Sequence, residues 1–499
     1  MASRDGARGA KLVGLYGTSA AVVAAGAALL VVFTDLDPGL VLTVAGAVVV
    51  AGIAHHATTW ALHAFLITLP LFPYTGELAG GSVFSGFLVG LPVAVVCLLR
   101  YVGLPRRTRP GATAVTVVLL VLAVSVSAVA SGSPYALSRA AYLTFFVGFG
   151  LAVHGAVRTG ATTGARVLQS LTIGGLVAGV VCLLQYAYQF FVGEPEFYDL
   201  LAQANAVWGG TTANSIGLLN VYVPSVGQFR GIVPFMASPS AGQYFAVTAF
   251  TALLLLVHRR LPVLNAAAIV VIGAALAITF SRQGLVALLV VTAGYLVLRS
   301  SRRVVIAGVA LVGLLAVLFV RPPGAQESLG DNILRAIDSG DVSTSGRLDL
   351  LTSAVGEAVD RALTLGVGPG LYAQLSDDGT GGLVYSHNTF IDVFIETGAL
   401  GGLALIAAVL AVCRAAWRAR SPVLGVLVLV LLTWMLDNVL YFPRNGLLLA
   451  AVVAVSTVAP RFADRPVTEG RGRHRREGVP PVPDRPAGGG SRPGEEVYG

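Results

Sequence analysis

The sequence predicts an all-α polytopic membrane protein of about 12–14 transmembrane helices, with a large, partly helical extracytoplasmic loop. Three observations lead there. Only 12% of the 499 residues are charged, about half the share in soluble proteins. Hydrophobic residues make up 55% of the chain, and its mean hydropathy is +0.79. Apolar runs near the length that crosses ~30 Å of hydrocarbon recur along almost the whole sequence. These features exclude a soluble enzyme, a disordered regulator and a secreted disulfide scaffold. The net charge of +8 sits in short clusters between apolar runs and forms no basic face. The expected partner is therefore the lipid bilayer and not nucleic acid.

In chain order the candidate spans are 12–33, 39–54, 57–72, 83–99, 112–130, 136–154, 168–192, 241–257, 262–280, 283–299, 303–320, 390–413, 422–441 and 445–459. The pair 39–54 and 57–72 is short enough to form a re-entrant hairpin. The first run follows Arg4, Arg8 and Lys11 and is too long for a signal-peptide core, so it reads as a retained first helix. With the N-terminus in the cytoplasm, alternation places 17 of the 33 basic residues in inner loops, and the tail beyond Pro460 adds 8 more on that side. Acidic residues, apart from Asp5 and the tail, fall outside or in spans near the outer surface. The expected topology is N-in and C-in, in a cytoplasmic (inner) membrane. The expected organisation is a cytoplasmic N-terminus (1–11), a transmembrane region (12–320) with an outer loop at 193–240, a large extracytoplasmic loop (321–387), C-terminal transmembrane helices (388–460) and a tail (461–499). The tail is rich in Arg, Pro and Gly and is expected to be disordered. Cys97, Cys182 and Cys413 lie in apolar runs without metal-ligand spacing and read as packing residues.

The large loop carries periodicity. Leu348, Leu351, Val355, Ala358 and Val359 share one helical stripe within 346–363, and Ser345 is a suitable N-cap. Leu365-Gly366-Val367-Gly368-Pro369-Gly370 then ends the helix in a tight turn. No strand precedes these glycines and Pro369 interrupts them, so they do not form a dinucleotide fingerprint.

Ionisable residues within spans are functional candidates by default, because burying one in lipid costs ~2.5 kcal/mol or more. Here they gather at one depth. Arg282 occupies the short outer connection between two spans. His387 precedes the span 390–413, and Asp392 and Glu396, four residues apart, share a face in its outer turns. Arg139 and Asp437 lie near outer span ends. Taken singly, His387 reads as an interfacial cap, Arg282 as a snorkelling anchor, and Arg347 as part of a solvated helix face. Asp392 and Glu396 either orient His387, bind sugar hydroxyls or pair structurally with Arg139 or Arg282. Together the set fits a diphosphate lipid head group at the outer interface. Arginine forks bind phosphate oxygens bidentately and stay charged, while a neutral imidazole accepts a proton from an attacking hydroxyl. Arg282, Arg347, Arg230 and His387 are thus coherent for glycosyl transfer from a polyprenyl-diphosphate-linked donor.

Ser386-His387-Asn388-Thr389-Phe390 through Gly398-Ala399-Leu400-Gly401 resembles the His-Asn, nine residues, Gly-x-x-Gly signature of the O-antigen ligase and polymerase superfamily. Thr279-Phe280-Ser281-Arg282 resembles that family's Ser-Arg at an outer helix end. Ser345-Gly346-Arg347 followed by Leu365-Gly366-Val367-Gly368 resembles the Arg and Gly-x-Gly segment of its periplasmic loop. Phe229-Arg230-Gly231 with Ser238-Pro239-Ser240 resembles its Arg-x-x-Gly…Pro-Asn element, with Ser240 where Asn is usual. The matches run in order over about 229–402. The resemblance implies a C-type membrane glycosyltransferase. It would move a glycan from undecaprenyl diphosphate to a glycan or glycolipid acceptor at the outer face, with neither metal nor cofactor. On it, His387, Arg282 and Arg347 are expected to be catalytic, and Arg230, Glu396, Asp392 and Arg139 to bind substrate. The alternative from another class is a transporter or flippase of lipid-linked glycan, which Gly-rich spans such as 171–181 keep open.

Overall fold

The computed structural model describes residues 48–78, 81–102, 112–208, 222–223, 228–235, 237–258, 260–298, 331, 352–356, 359–360, 365–372, 386–437, 440 and 442–458. The predicted spans 12–33 and 303–320, most of 39–54, the N-terminus 1–11 and the tail 461–499 lie outside these residues. So do Arg347 and most of the helix expected around it.

The described part is all-α and built for a bilayer. Its helices are α1 (Thr58–Thr68), α2 (Ser85–Cys97), α3 (Ala112–Ser131), α4 (Pro134–Arg158), α5 (Gly164–Tyr188), α6 (Glu194–Trp208), α7 (Ser238–Val257), α8 (Pro262–Ile278), α9 (Arg282–Leu298), α10 (Thr389–Arg418), α11 (Leu424–Leu436) and α12 (Pro443–Ser456). Eleven of the predicted apolar runs recur as helices here. Among the described residues, α3, α4, α5, α7 and α10 have the length and composition to cross a membrane, and six further apolar helices are shorter. Two short antiparallel ribbons join them. In the first, β1 (Tyr74–Leu78) pairs with β2 (Gly81–Phe84), with Tyr74 opposite Phe84. In the second, β3 (Tyr222–Val223) pairs with β4 (Gln228–Phe229).

The helix ends follow from local sequence. Proline occupies the first turn of α4, α7, α8 and α12, where its missing N–H leaves nothing unmatched. Side chains cap others: Ser133 accepts from the Ala136 amide, and Thr163 from the Arg166 amide. Such caps matter more near hydrocarbon, which offers no partner to a bare amide.

The centre is α7, with 89% of its apolar window buried, against 28% for α3 and 33% for α10. Val118, Leu122 and Val129 of α3, and Leu403 and Leu410 of α10, point outward. A helix that is apolar on every side belongs in lipid. At the centre small residues let backbones meet: a Cβ on Gly284 of α9 would stand 2.6 Å from the Gly242 carbonyl oxygen of α7. Buried amides tie the same core. Gln243 of α7 donates to Thr433 of α11 at 2.8 Å and accepts from Asn445 of α12 at 2.9 Å. At the opposite end Gln169 and Asn265 exchange two amide hydrogen bonds at 3.3 and 3.1 Å.

One cation is enclosed. Arg444, in the first turn of α12, is 3% exposed. It donates to the Phe72 carbonyl at 2.6 Å. Its guanidinium carbon lies 5.5, 5.2 and 5.9 Å from the ring centres of Tyr74, Phe84 and Phe235. Desolvated cation–π contacts of this kind contribute about 2 kcal/mol each, and they fasten the first ribbon to α12.

Two elements differ from the sequence reading. The loop 193–240 contains a 15-residue amphipathic helix, α6. Its Phe197, Leu201 and Ala204 pack with Phe229, Ile232 and Val233. In the large loop, residues 352–356 and 359–360 are helical as expected, but Val355 and Val359 of the expected apolar stripe are exposed. Ala354 is the buried position, because it meets Tyr372 and Ile395, where a small side chain fits.

Replacing Gly284 by Val should push α7 and α9 apart. Overpacking of this kind costs about 1–3 kcal/mol. The expected result is a lower unfolding temperature in detergent, while Gly294→Ala, with open space around its Cβ position, should unfold like the parent.

Candidate functional site

The start of α10 is made by four side chains, those of Ser386, Asn388, Thr389 and Asp392. Asn388 caps the helix, accepting from the amides of Phe390 and Ile391 at 3.0 and 3.2 Å. The Ser386 hydroxyl accepts from the Asn388 amide at 3.1 Å, and the Ser386 amide donates to Asp392 Oδ1 at 3.1 Å. Thr389 Oγ1 donates to the Asp437 carbonyl at 2.8 Å, and the Asn388 amide side chain to the Met435 carbonyl at 3.4 Å. This clasp holds His387 at φ 55°, in the left-handed region, which costs a residue with a side chain roughly 1–3 kcal/mol.

The clasp turns the imidazole toward α11. Nδ1 of His387 lies 3.3 Å from Oδ1 of Asp437, the C-cap of that helix. The His387 side chain is 32% exposed, that of Asp437 only 9%. An ionised carboxylate only accepts, so in the neutral ring Nδ1 carries the proton and Nε2 presents its lone pair. With its side-chain nitrogen turned toward Asp437, Gln283 donates to Oδ2 of that carboxylate at 3.1 Å and to the Leu436 carbonyl at 3.2 Å. Gln283 follows Arg282, the half-buried first residue of α9. One carboxylate thus joins the start of α9 to His387.

The preceding α8–α9 turn holds a second arginine nearby through the backbone. The Gly231 amide donates to the Ile278 carbonyl at 2.8 Å, and Ser238 Oγ to the Thr279 carbonyl at 2.7 Å. Gln185, buried near the end of α5, donates to the Arg230 carbonyl at 3.2 Å and accepts from the Ile232 amide at 2.9 Å. Arg230 is therefore strapped between α5 and α8, at the same end of the bundle as Arg282 and His387.

A second arrangement lies further along α10. Gly398 (φ 65°, ψ −171°) breaks this helix, which releases the carbonyls of Ile395 and Glu396. The glycine turn takes them: the Val367 amide donates to the Ile395 carbonyl at 3.2 Å, and the Gly368 amide to the Glu396 carbonyl at 2.9 Å. Ser127 of α3 also donates to the Glu396 carbonyl, at 2.7 Å. Gly366 sits at φ 74° with its Cβ position overlapping the Glu396 backbone, so only glycine fits. A Cβ on Gly370 would stand 3.0 Å from Cγ of Arg139. Arg139 stacks over the Tyr135 ring at 4.7 Å and donates to its hydroxyl.

Of the residues expected from sequence, His387 is joined through Asp437 to Gln283, the neighbour of Arg282, and Gly231, the neighbour of Arg230, is bonded to the end of α8. Arg139 and Glu396 meet at the glycine turn, Asp392 braces the turn that presents His387, and Arg347 lies outside the described residues. Asp392 and Glu396 are fully buried, and Asp437 is the carboxylate that faces His387. Gln283 and Gln185 were not singled out by sequence, since uncharged amides in or beside apolar runs carry no depth or charge signal; Asn388 was noted only as part of the His-Asn signature. Among the described residues no group of three or more His, Cys, Asp or Glu is placed to hold a metal ion.

Fold and site define a polytopic membrane protein with a polar, cation-bearing centre at one end of its bundle. Residues 266–406 match the family model described as O-antigen ligase. Over that stretch, which takes in most of α8, α9, the glycine turn, His387-Asn388 and the Gly398 break, the chain is similar to O-antigen ligases, and the match supports the O-antigen ligase and polymerase superfamily. The match supports an O-antigen ligase-like membrane glycosyltransferase in general. No curated protein matches the sequence.

The glycine turn gives a direct test. Gly366→Ala forces a side chain into the left-handed region, at about 1–2 kcal/mol, as well as into the Glu396 backbone. Protease sensitivity of residues 321–387 should rise, whereas Gly356→Ala, with nothing near its Cβ position, should leave it unchanged.

Proposed function

We propose that the protein transfers a glycan from an undecaprenyl-diphosphate carrier to an acceptor hydroxyl at the outer face of the cytoplasmic membrane. The observation that carries this reading is the Nδ1 contact of His387 with Asp437, on a carboxylate also tied to the start of α9 beside Arg282. It supports a proton acceptor and a phosphate-binding cation at one membrane boundary. The family match supports the reaction class. The distribution of basic loops supports the outer-face orientation.

In the proposed reaction Nε2 of His387 takes the proton of the acceptor hydroxyl as its oxygen attacks the anomeric carbon. Asp437 stabilises the imidazolium that forms, the role a buried carboxylate plays behind a catalytic histidine. The new carbon–oxygen bond forms as the bond to the lipid diphosphate breaks, and the leaving diphosphate departs against Arg282 and Arg347, with Arg230 alongside. A single displacement inverts the anomeric carbon. The chemistry assigns no role to a metal or cofactor. Asp392, Glu396 and Arg139 act by holding α10, its clasp and the glycine turn in place.

His387→Ala should lower transfer in vitro, from lipid-linked donor to acceptor, by about 10²–10⁴-fold, the usual contribution of a general base. Arg282→Ala should fall comparably, and Asp437→Asn should lower kcat while leaving the donor KM near the parent value. Full transfer by His387→Ala sinks the assignment. Release of free lipid diphosphate without any gradient distinguishes transferase from flippase. Sizing the products distinguishes a polymerase, which gives a ladder of lipid-linked chains, from a ligase, which gives a single transfer.

A further inference from the structure

Asp437 is engaged at each of its polar atoms. Its amide donates to the Thr433 carbonyl at 3.0 Å, and its carbonyl accepts from Thr389 Oγ1 at 2.8 Å. Its Oδ1 stands 3.3 Å from Nδ1 of His387, and its Oδ2 accepts from the Gln283 side-chain nitrogen at 3.1 Å. The same nitrogen donates to the Leu436 carbonyl at 3.2 Å. Leu436 is the last residue of α11, where the closing carbonyls have no partner within the helix. Both hydrogens of one amide nitrogen thus close on one helix end. Gln283 is 8% exposed, and it springs from a rigid base. The Leu285 amide donates to the Ser281 carbonyl at 3.2 Å, and the next residue, Gly284, meets α7 backbone to backbone.

We propose, on the transferase reading above, that Gln283 is a positioning residue for the base: its amide fixes the plane of the Asp437 carboxylate, so that Nδ1 of His387 keeps its proton and Nε2 faces the acceptor hydroxyl. The torsion that turns an aspartate carboxylate is broad and two-fold. A single contact at 3.3 Å leaves that plane free to rotate, and a donor on the other oxygen closes it. The amide is also uncharged. It satisfies Oδ2 of a side chain that is 9% exposed without neutralising the charge that stabilises the imidazolium. The ionisable groups on the described elements that meet here are Asp437 of α11, His387 and Asp392 of the α10 start, Arg282 of α9 and Arg230 of the strap; Asp392 gives its Oδ1 to the Ser386 amide. Without Gln283 the bare carboxylate pulls more strongly on the ring proton, and the imidazole stays protonated to higher pH.

Diethyl pyrocarbonate reads this without turnover, because it acylates the neutral imidazole, and the His387 side chain, 32% exposed, is within its reach. The full-length protein in detergent is labelled and the His387 peptide followed by mass spectrometry. Gln283→Met should slow the reaction at about pH 6 by about three- to tenfold, for an upward displacement of about half to one pH unit. At about pH 8.5, where the ring is neutral in both, it should match the parent. Exposed His55 and His56 are internal references. Gln169→Met, which removes an amide pair at the opposite end of the bundle, should lower the unfolding temperature and leave the His387 rate unchanged. In transfer assays Gln283→Met should lower kcat about tenfold at an unchanged donor KM, the loss of one hydrogen bond to a charged group. Nearly all of that loss should vanish in an Asp437→Asn background, where the coupled partner is gone.

An unchanged labelling rate near pH 6, or a slowing of the same size in Gln169→Met, overturns the proposal; so do additive losses of kcat in the double variant. If Gln283→Met does not fold, Gln283→Asn takes its place. It keeps the amide but stops about 1.5 Å short of Oδ2, and the same slowing is expected. Slowed labelling in a protein that transfers no glycan would remove the transferase reading and leave the positioning of the ring. Parental labelling in an enzyme that His387→Ala inactivates would remove the role of Gln283 alone.

Discussion

A helix that breaks inside or beside hydrocarbon must have its released carbonyls taken by something other than water. That constraint organises the His387 end of this protein. The break at Gly398 frees two carbonyls of α10, and three donors from elsewhere in the chain, Val367, Gly368 and Ser127, close on them. The glycine turn is thereby fixed to a membrane helix by backbone bonds. Its side-chain-free positions are what allow the approach, and Arg139 packs against its far edge. The loop connected to this turn is long, but its attachment is short and specific.

Amide side chains do much of the remaining fixing. Gln283 follows Arg282, Asn388 follows His387, Asn445 follows Arg444, and Gln185 grips the backbone on both sides of Gly231, next to Arg230. Gln185 and Asn388 donate and accept at once, while Gln283 and Asn445 each donate twice, and all four anchor backbone or side chains without adding charge. The field around the cations is left to the cations themselves. Carboxylates stay few, and Asp437 stands where two helices need a common acceptor.

The bundle was legible in the sequence because a bilayer asks little more of a span than length and apolarity. The runs at 112–130 and 136–154 become α3 and α4 nearly residue for residue. Pro134 and Pro262 mark the starts of α4 and α8, whereas the break at Gly398 was not legible, since the run 390–413 reads as one continuous span. Elements outside hydrocarbon were harder. The apolar stripe of α6 is spaced for a helix, yet it sits in a segment whose polar composition marks a loop. Val355 and Val359 matched a helical stripe, but the docking surface beside Ile395 admits only Ala354. In the candidate site, His387, Arg282 and Arg230 stood out as charges at one depth. Asp437 stood at the same depth, but its pairing with His387 was not legible, since it lies fifty residues away and reaches the imidazole only because α11 ends there. Asp392, closer in sequence, spends its Oδ1 on the Ser386 amide instead.

The two oxygens of Asp437 point to different masters. One meets the imidazole and the other meets Gln283, so a single carboxylate spans from the first turn of α9 to the ring. With both oxygens so engaged, an asparagine amide in its place would set its nitrogen against a donor on one side or the other.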